Sequence, residues 1–400
     1  MAKDVRVIDP ISRRSFVKAA TLSTVGASFA TRSWWAEAKN TVSQDSQLLF
    51  VGTQTGASSK GIYAFHWDPA SGELKELGLA GESNNPTFIA LSPDGEHLYA
   101  ANEIANYDGT KSGAVSAFSI DRSAARLTAI NTVSAMGDGT CHVMLDHTGH
   151  TLLCANYSGG SASSFRVEGG GRLSEAVSHF QYEGHGVNPE RQEKPHAHRA
   201  TVSPDNRYAY INDLGLDCIH IYHLDAVTAK LTAADPSQWT AKPGSGPRAL
   251  RFHPNGKWAF CVHEMASAVE VLGWNSSNGS LTSIQRVDLV PKNYHGSEAT
   301  GSEVVFDAEG HFAYVAVRGY DHIVALRIDA STGHLTQIGS TSCGGKVPRH
   351  IAMDPTGHWL LVANQVSDNI AVIRRDPQTG KLAETGNSLP LVKPQCLVFV

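Results

Sequence analysis

The sequence predicts an all-β fold: a seven-bladed β-propeller with four antiparallel strands per blade, its ring closed by the two ends of the chain. Three observations carry this. A turn between two apolar runs recurs along the chain, a second hairpin ending in leucine follows each copy, and the two termini supply complementary parts of one blade. A four-stranded unit repeated roughly every fifty residues is the signature of a propeller blade.

The first hairpin reads LSPDGEHLYAANE (91–103), LDHTGHTLLCANY (145–157), VSPDNRYAYIND (202–213), FHPNGKWAFCVHE (252–264), FDAEGHFAYVAVR (306–318) and MDPTGHWLLVANQ (353–365). Asp-Gly, Asn-Gly and Thr-Gly supply the positive φ that a tight hairpin needs. The flanking runs are short and rich in Val, Tyr, Leu and Ala, as strands of a packed sheet are. The second hairpin closes on Leu74, Leu127, Leu173, Leu231, Leu281, Leu335 and Leu382, which makes seven units. SQLLFVGTQ (46–54) is a strand without an inner partner, and VKPQCLVFV (392–400) is an inner strand without outer partners. Pairing the two completes the seventh blade and leaves the ring no free edge.

The repeat sets the domain boundaries. Residues 46–400 form the propeller, 39–45 a short linker, and 1–38 an export signal. In the signal, Ser12-Arg13-Arg14-Ser15-Phe16-Val17-Lys18 reads S-R-R-x-F-x-K, a weakly apolar run spans 19–30, and Ala36-Glu37-Ala38 offers an A-x-A cleavage site. This order predicts twin-arginine export to the periplasm. No run of 18 apolar residues exists, so no membrane-spanning helix is expected. The net charge of −5, with six Lys/Arg against three Asp/Glu in residues 1–38, leaves the remainder about −8. That disfavours nucleic acid as a partner. The six cysteines form no C-x-x-C pair and are expected to be buried free thiols. Nothing in the sequence requires a cofactor, and the oligomeric state is not legible in it.

The register of the repeat picks out candidate site residues. Six positions before the turn's proline position stand Thr87, Cys141, His198, Arg248, Ser302 and Arg349, with Gln395 by analogy in the last strand. These positions open each innermost strand at one mouth of the central channel. Side chains at alternate positions share a face. Two converging arginines repel each other unless an anion or acid offsets them. The second strand of each hairpin returns to the same end, where it places Gln54, Glu103, Tyr157, Asp213, Glu264, Arg318 and Gln365. A central cleft gathering such groups is a default binding site. His196 and His198 lie two apart but have no further ligands at metal spacing, so a metal pair is disfavoured. His198 is the site residue, and His196 is a loop contact or a bystander. His142 and His350 fall one residue later, where alternation turns them into the blade stack; His350 is retained as a candidate because it adjoins Arg349.

PHAHRATVSPDNR, GSGPRALRFHPNGKWAFCVHE, VVFDAEGHFAYVAVR and VPRHIAMDPTGHWLLVANQ resemble the seven-bladed-propeller lactonase family, whose members include propeller-type 6-phosphogluconolactonases. The fungal 3-carboxy-cis,cis-muconate lactonizing enzyme shares the fold. The resemblance covers roughly residues 46–400. It implies a site of one His, two Arg and one Glu, matched here by His198, Arg248, Glu264 and Arg318. Register and adjacency, not the resemblance, add Glu103, His196, Arg349, His350 and Gln365 as candidate substrate contacts. One departure stands out: the family's P-R-H is Pro247-Arg248-Ala249 in blade five and survives only at Pro348-Arg349-His350.

These groups suit lactone opening. Glu264 or His198 could take a proton from water, an arginine could stabilise the oxyanion, and a second could grip a phosphate or carboxylate. There is no G-x-S-x-G elbow for a serine mechanism. The expectation is a lactone hydrolase acting on a small sugar-acid lactone. The alternatives are a non-catalytic ligand- or protein-binding propeller and a muconate-type cycloisomerase. Convergence of Arg248, Glu264 and Arg318 on one small volume separates the catalytic readings from the scaffold.

Overall fold

The computed structural model describes residues 47–56 and 58–400. The predicted signal at 1–38 and linker at 39–45 lie outside the described residues. Seven four-stranded antiparallel sheets surround a central channel. Six are contiguous in sequence: 86–134, 140–181, 197–240, 247–288, 300–342 and 348–390. The first blade is composite. Its innermost strand, Pro394–Phe399, pairs with Gln47–Thr53, which begins the remaining three strands, 47–82. Among the described residues no helix is long and apolar enough to cross a membrane.

The core lies between blades. Each of seven apolar clusters draws residues from two neighbouring sheets; one joins Phe260 and Val262 of blade five to Val315 and Leu326 of blade six. The hairpin leucines open the outermost strands, and Leu127, Leu173, Leu231, Leu281 and Leu335 are buried. Tyr99, Tyr210 and Tyr314 each sit on a second strand and donate a hydroxyl hydrogen bond to a turn carbonyl of the next blade, Gly171, Gly279 and Gly380. All six cysteines are buried and unpaired. Burial raises the thiol pKa of each; Cys154, Cys343 and Cys396 rise to about 12, so all stay protonated and unreactive.

One irregularity decides what faces the channel. Every innermost strand breaks register with its neighbour at its first turn of pairing, so that an extra residue stands unopposed. The breaks fall at Thr87, Cys141, His198, Arg248, Ser302–Glu303, Arg349 and Gln395, the positions singled out by counting back from each turn. Such β-bulges re-aim side chains near functional sites.

Candidate active site

The bulges interrupt alternation, and that corrects one expectation. His142 and His350 do not turn into the blade stack. They line the same narrow cavity in the channel as the bulge residues His198, Arg248 and Arg349, together with Arg199 and Glu303. Two layers of polar side chains therefore occupy the axis, where strict alternation predicts one.

The outer layer is built around Glu264. It follows the strand Trp258–His263, and its backbone is clamped on both sides: its N–H donates to Gly246 O, and its carbonyl accepts from Gly301 N–H at 3.0 Å. Its carboxylate meets three arginines. Arg318 Nη2 lies 2.7 Å from Oε2, Arg248 Nε 3.1 Å from Oε2, and Arg191 Nη2 2.5 Å from Oε1. The Arg248 Nε–H is not aimed at the carboxylate and has no hydrogen-bond partner among the described residues. Arg248 Nη1 instead donates to Ser302 O, and Arg318 Nη2 also donates to Gly301 O at 3.3 Å. His198 Nε2 stands 3.9 Å from Glu264 Oε2, too far for a direct bond. Neither of its ring nitrogens is committed to a hydrogen bond among the described residues, while its ring meets Tyr157 edge-on.

The electrostatics follow. Burial alone would raise the Glu264 pKa, but Arg318, Arg248, His198 and Arg191 together hold it well below the usual carboxylate range. Burial, then Arg248, Arg349 and Arg318, push His198 well below the ordinary imidazole value, against the pull of Glu264. Burial and the neighbouring arginines Arg318 and Arg349 bring Arg248 down to about 9, still protonated at neutral pH. At neutral pH the site therefore holds a carboxylate, three guanidinium groups and a neutral imidazole.

The inner layer is a buried ion pair. Arg199 Nη1 reaches both oxygens of Glu303, at 2.9 and 2.7 Å. Arg251 Nη2 lies 3.7 Å from Glu303, and His350 Nε2 4.0 Å. Burial opposes ionisation of Glu303, but Arg199, Arg251 and His350 outweigh it and bring the carboxyl to about 2. His350 is driven to about 4, by burial first and then by Arg251 and Arg199. Burial also lowers His142, whose Nε2 has no hydrogen-bond partner among the described residues. The cavity these groups line measures about 20 Å³, room for one water.

Buried neutral imidazoles make stability depend on pH. Between the ordinary imidazole value and about 4, the unfolded chain binds protons that folded His350 does not. Stability therefore falls as pH drops through this window. Glu303 adds to the loss from about 4.5 down towards 2. Thermal unfolding followed from pH 7 to pH 4 is expected to show a steady drop, with His350 contributing roughly 3 kcal/mol. His350→Phe should flatten part of that slope; an unchanged slope would contradict the assignment.

The remaining expected residues are placed as follows. Arg349 Nη2 lies 3.6 Å from Glu103 Oε2, on the far side of the mouth. His196 stacks on Tyr157, with Nδ1 3.1 Å from Tyr157 O and Nε2 3.2 Å from Glu193. Both its nitrogens are thus occupied, and it holds the loop in place. Asp213 turns away from the axis to accept the N–H groups of His196 and Leu216. Gln365 follows the strand Trp359–Asn364 and is tied by its backbone to Val347 O; its side chain bonds to none of these groups. Ala249 is fully buried in the core between blades five and six, so nothing occupies the place of a histidine there. Arg191 is the residue that register counting misses, because it comes from the connection 182–196 and has no repeat position. Among the described residues no three His, Cys, Asp or Glu side chains cluster as metal ligands.

Six arginines (191, 199, 248, 251, 318 and 349) thus meet three carboxylates at the axis of a chain whose net charge is −5. The axis therefore carries an excess of positive charge, a field that favours an anion.

Comparison with known proteins places this geometry. A family model described as "Lactonase, 7-bladed beta-propeller" matches residues 48–399. The 6-phosphogluconolactonase of Bacillus subtilis is 35% identical over 301 residues, which span 75% of this chain and 83% of that protein. A 6-phosphogluconolactonase of Formosa agariphila is 34% identical over 311 residues, 76% of this chain and 86% of that one. Among solved structures, the periplasmic gluconolactonase of Pseudomonas aeruginosa superposes with a TM-score of 0.83 at 33% identity, covering 89% of this chain and 99% of that chain.

Proposed function

The chain belongs to the seven-bladed β-propeller lactonase family, and from this we propose that it hydrolyses a sugar-acid lactone at the channel mouth. It is a lactone hydrolase of the 6-phosphogluconolactonase type, and the supporting observation is local: a carboxylate gripped by three arginines beside a neutral imidazole with uncommitted nitrogens.

The division of labour follows from those contacts. Glu264 has its oxygens engaged and is a weak base; its role is to hold Arg248 and Arg318 in place. His198 is the general base. It takes a proton from water as the oxygen attacks the lactone carbonyl. Arg248 and Arg318 stabilise the tetrahedral oxyanion. Collapse expels the ring oxygen, which receives the proton back from His198. The product is an open-chain hydroxy acid whose new carboxyl group releases its proton to solvent, leaving a carboxylate among the same arginines.

Export fits the S-R-R-x-F-x-K segment at residues 12–18 and the periplasmic location of the Pseudomonas relative. We place the reaction in the periplasm.

The test is pH-stat hydrolysis of freshly prepared 6-phosphogluconolactone and glucono-δ-lactone, at mildly acidic pH to slow the spontaneous reaction. Turnover above background on either supports the reading. Background rates on both, with a folded enzyme, would refute it for sugar lactones.

A further inference from the structure

Resting on the lactonase reading, we infer that Arg191 selects lactones bearing a second anionic group, a phosphate or carboxylate remote from the ring carbonyl, by exchanging Glu264 for that anion.

Arg191 differs from the other arginines of the site in how it is carried. Arg248, Arg318 and Arg349 lie on blade strands, with side chains 6%, 15% and 16% exposed. Arg191 lies in the connection 182–196, and its side chain is 36% exposed, against 6% for Arg248. Arg248 and Arg318 are each tied to a backbone carbonyl as well as to Glu264. Among the described residues Arg191 bonds only to side chains, Glu264 and the Tyr157 hydroxyl, the latter at 3.4 Å. It can release both without unsatisfying any backbone group.

The connection that carries it is firmly built. The Asn188 side chain accepts the N–H groups of Glu190 and Arg191. Gln192 is fully buried, donates to Leu214 O and accepts from Asn188 N–H. Gly186 and Gly215 permit this contact: a Cβ at Gly186 would lie 2.6 Å from Gln192, and one at Gly215 only 1.9 Å from Lys194 O. The base of Arg191 is therefore fixed while its guanidinium stands at the open side of the mouth.

Charge supplies the selectivity. Three guanidinium groups surround one carboxylate, so the outer layer is short of negative charge. The lactone carbonyl uses Arg248 and Arg318. A second anion on the substrate finds Arg191, the one cation that is both exposed and replaceable at Glu264. A neutral lactone leaves Arg191 on Glu264.

The experiment measures kcat/KM for 6-phosphogluconolactone, a glucaric acid lactone and glucono-δ-lactone, with wild type, Arg191→Ala and Arg191→Lys. Wild type should prefer at least one anionic lactone over the neutral one. In Arg191→Ala that preference should fall roughly 10- to 100-fold, chiefly through KM. Arg191→Lys should recover part of it, because it keeps the charge and loses the fork. The arm that collapses tells phosphate from carboxylate. A wild type without preference overturns the inference, as does an unchanged preference in Arg191→Ala. If wild type hydrolyses none of the three, the lactonase reading itself fails. Calorimetric binding of 6-phosphogluconate, glucarate and gluconate to the same proteins then decides Arg191: an anion-dependent affinity lost in Arg191→Ala supports it, and its absence overturns it.

Discussion

Replacing Glu264 by Gln is expected to abolish measurable turnover and to destabilise the protein by about 3–5 kcal/mol. The shape of the side chain is kept and one charge is lost. Arg248 and Arg318 would then face each other and Arg191 with no counter-charge, in a site where burial first, and then the field of Arg318 and Arg349, already bring Arg248 down to about 9. Breaking a buried pair from the carboxylate side strands the cations, and their desolvation is no longer offset. Arg191 softens the loss, since it is partly exposed and can turn to solvent. Activity has no such relief, because Arg248 and Arg318, to which we assign oxyanion stabilisation, lose the group that aims them. Chemical denaturation and pH-stat assays check both halves. The control is Arg318→Gln, which removes a surplus cation and should cost less stability than Glu264→Gln while still impairing turnover. If Glu264→Gln proves as stable as wild type, Glu264 does not anchor the arginines.

His198→Gln is expected to lower kcat by roughly 10²- to 10⁴-fold, the usual contribution of a positioned general base. The pH profile makes the assignment specific. In the free enzyme, burial and Arg248 hold the imidazole well below its ordinary value, so the acid limb of kcat/KM should lie below about pH 6.5. A bound anion offsets the field of the arginines and raises the imidazole pKa. The acid limb of kcat, which reports the bound complex, should therefore fall at higher pH than that of kcat/KM. Coincident limbs, or a limb absent from wild type and His198→Gln alike, would remove His198 from the role.

The repeat made the blade count, the shared first blade and most of the outer layer legible, because turn chemistry and strand period are local properties. His198, Arg248, Glu264 and Arg318 were found by counting along that period, and the structure brings all four together. Counting failed where the period breaks. A bulge adds one residue to a strand without changing its composition, so nothing marked Arg199, Glu303 and His142 as axial, and His350 was kept only for its place beside Arg349. Arg191 escaped for a different reason: a connection has no period, and only its contact with Glu264 reveals it. His196 and Asp213 show the converse, polar residues beside the site whose bonds are spent on holding the chain.

The seven bulges have a consequence for how such a channel changes over evolutionary time. A bulged residue stands outside the hydrogen-bond ladder, so exchanging it leaves the sheet's own bookkeeping untouched. Five blades thus contribute a short address of adjacent residues at the bulge, Thr-Phe, Cys-His, His-Arg, Ser-Glu and Arg-His, while blade five offers Arg248 and the first blade Gln395. These addresses can be rewritten one blade at a time while the turns and inter-blade cores stay constant. A new substrate then requires a few letters at the axis and a new loop above it, with no new scaffold.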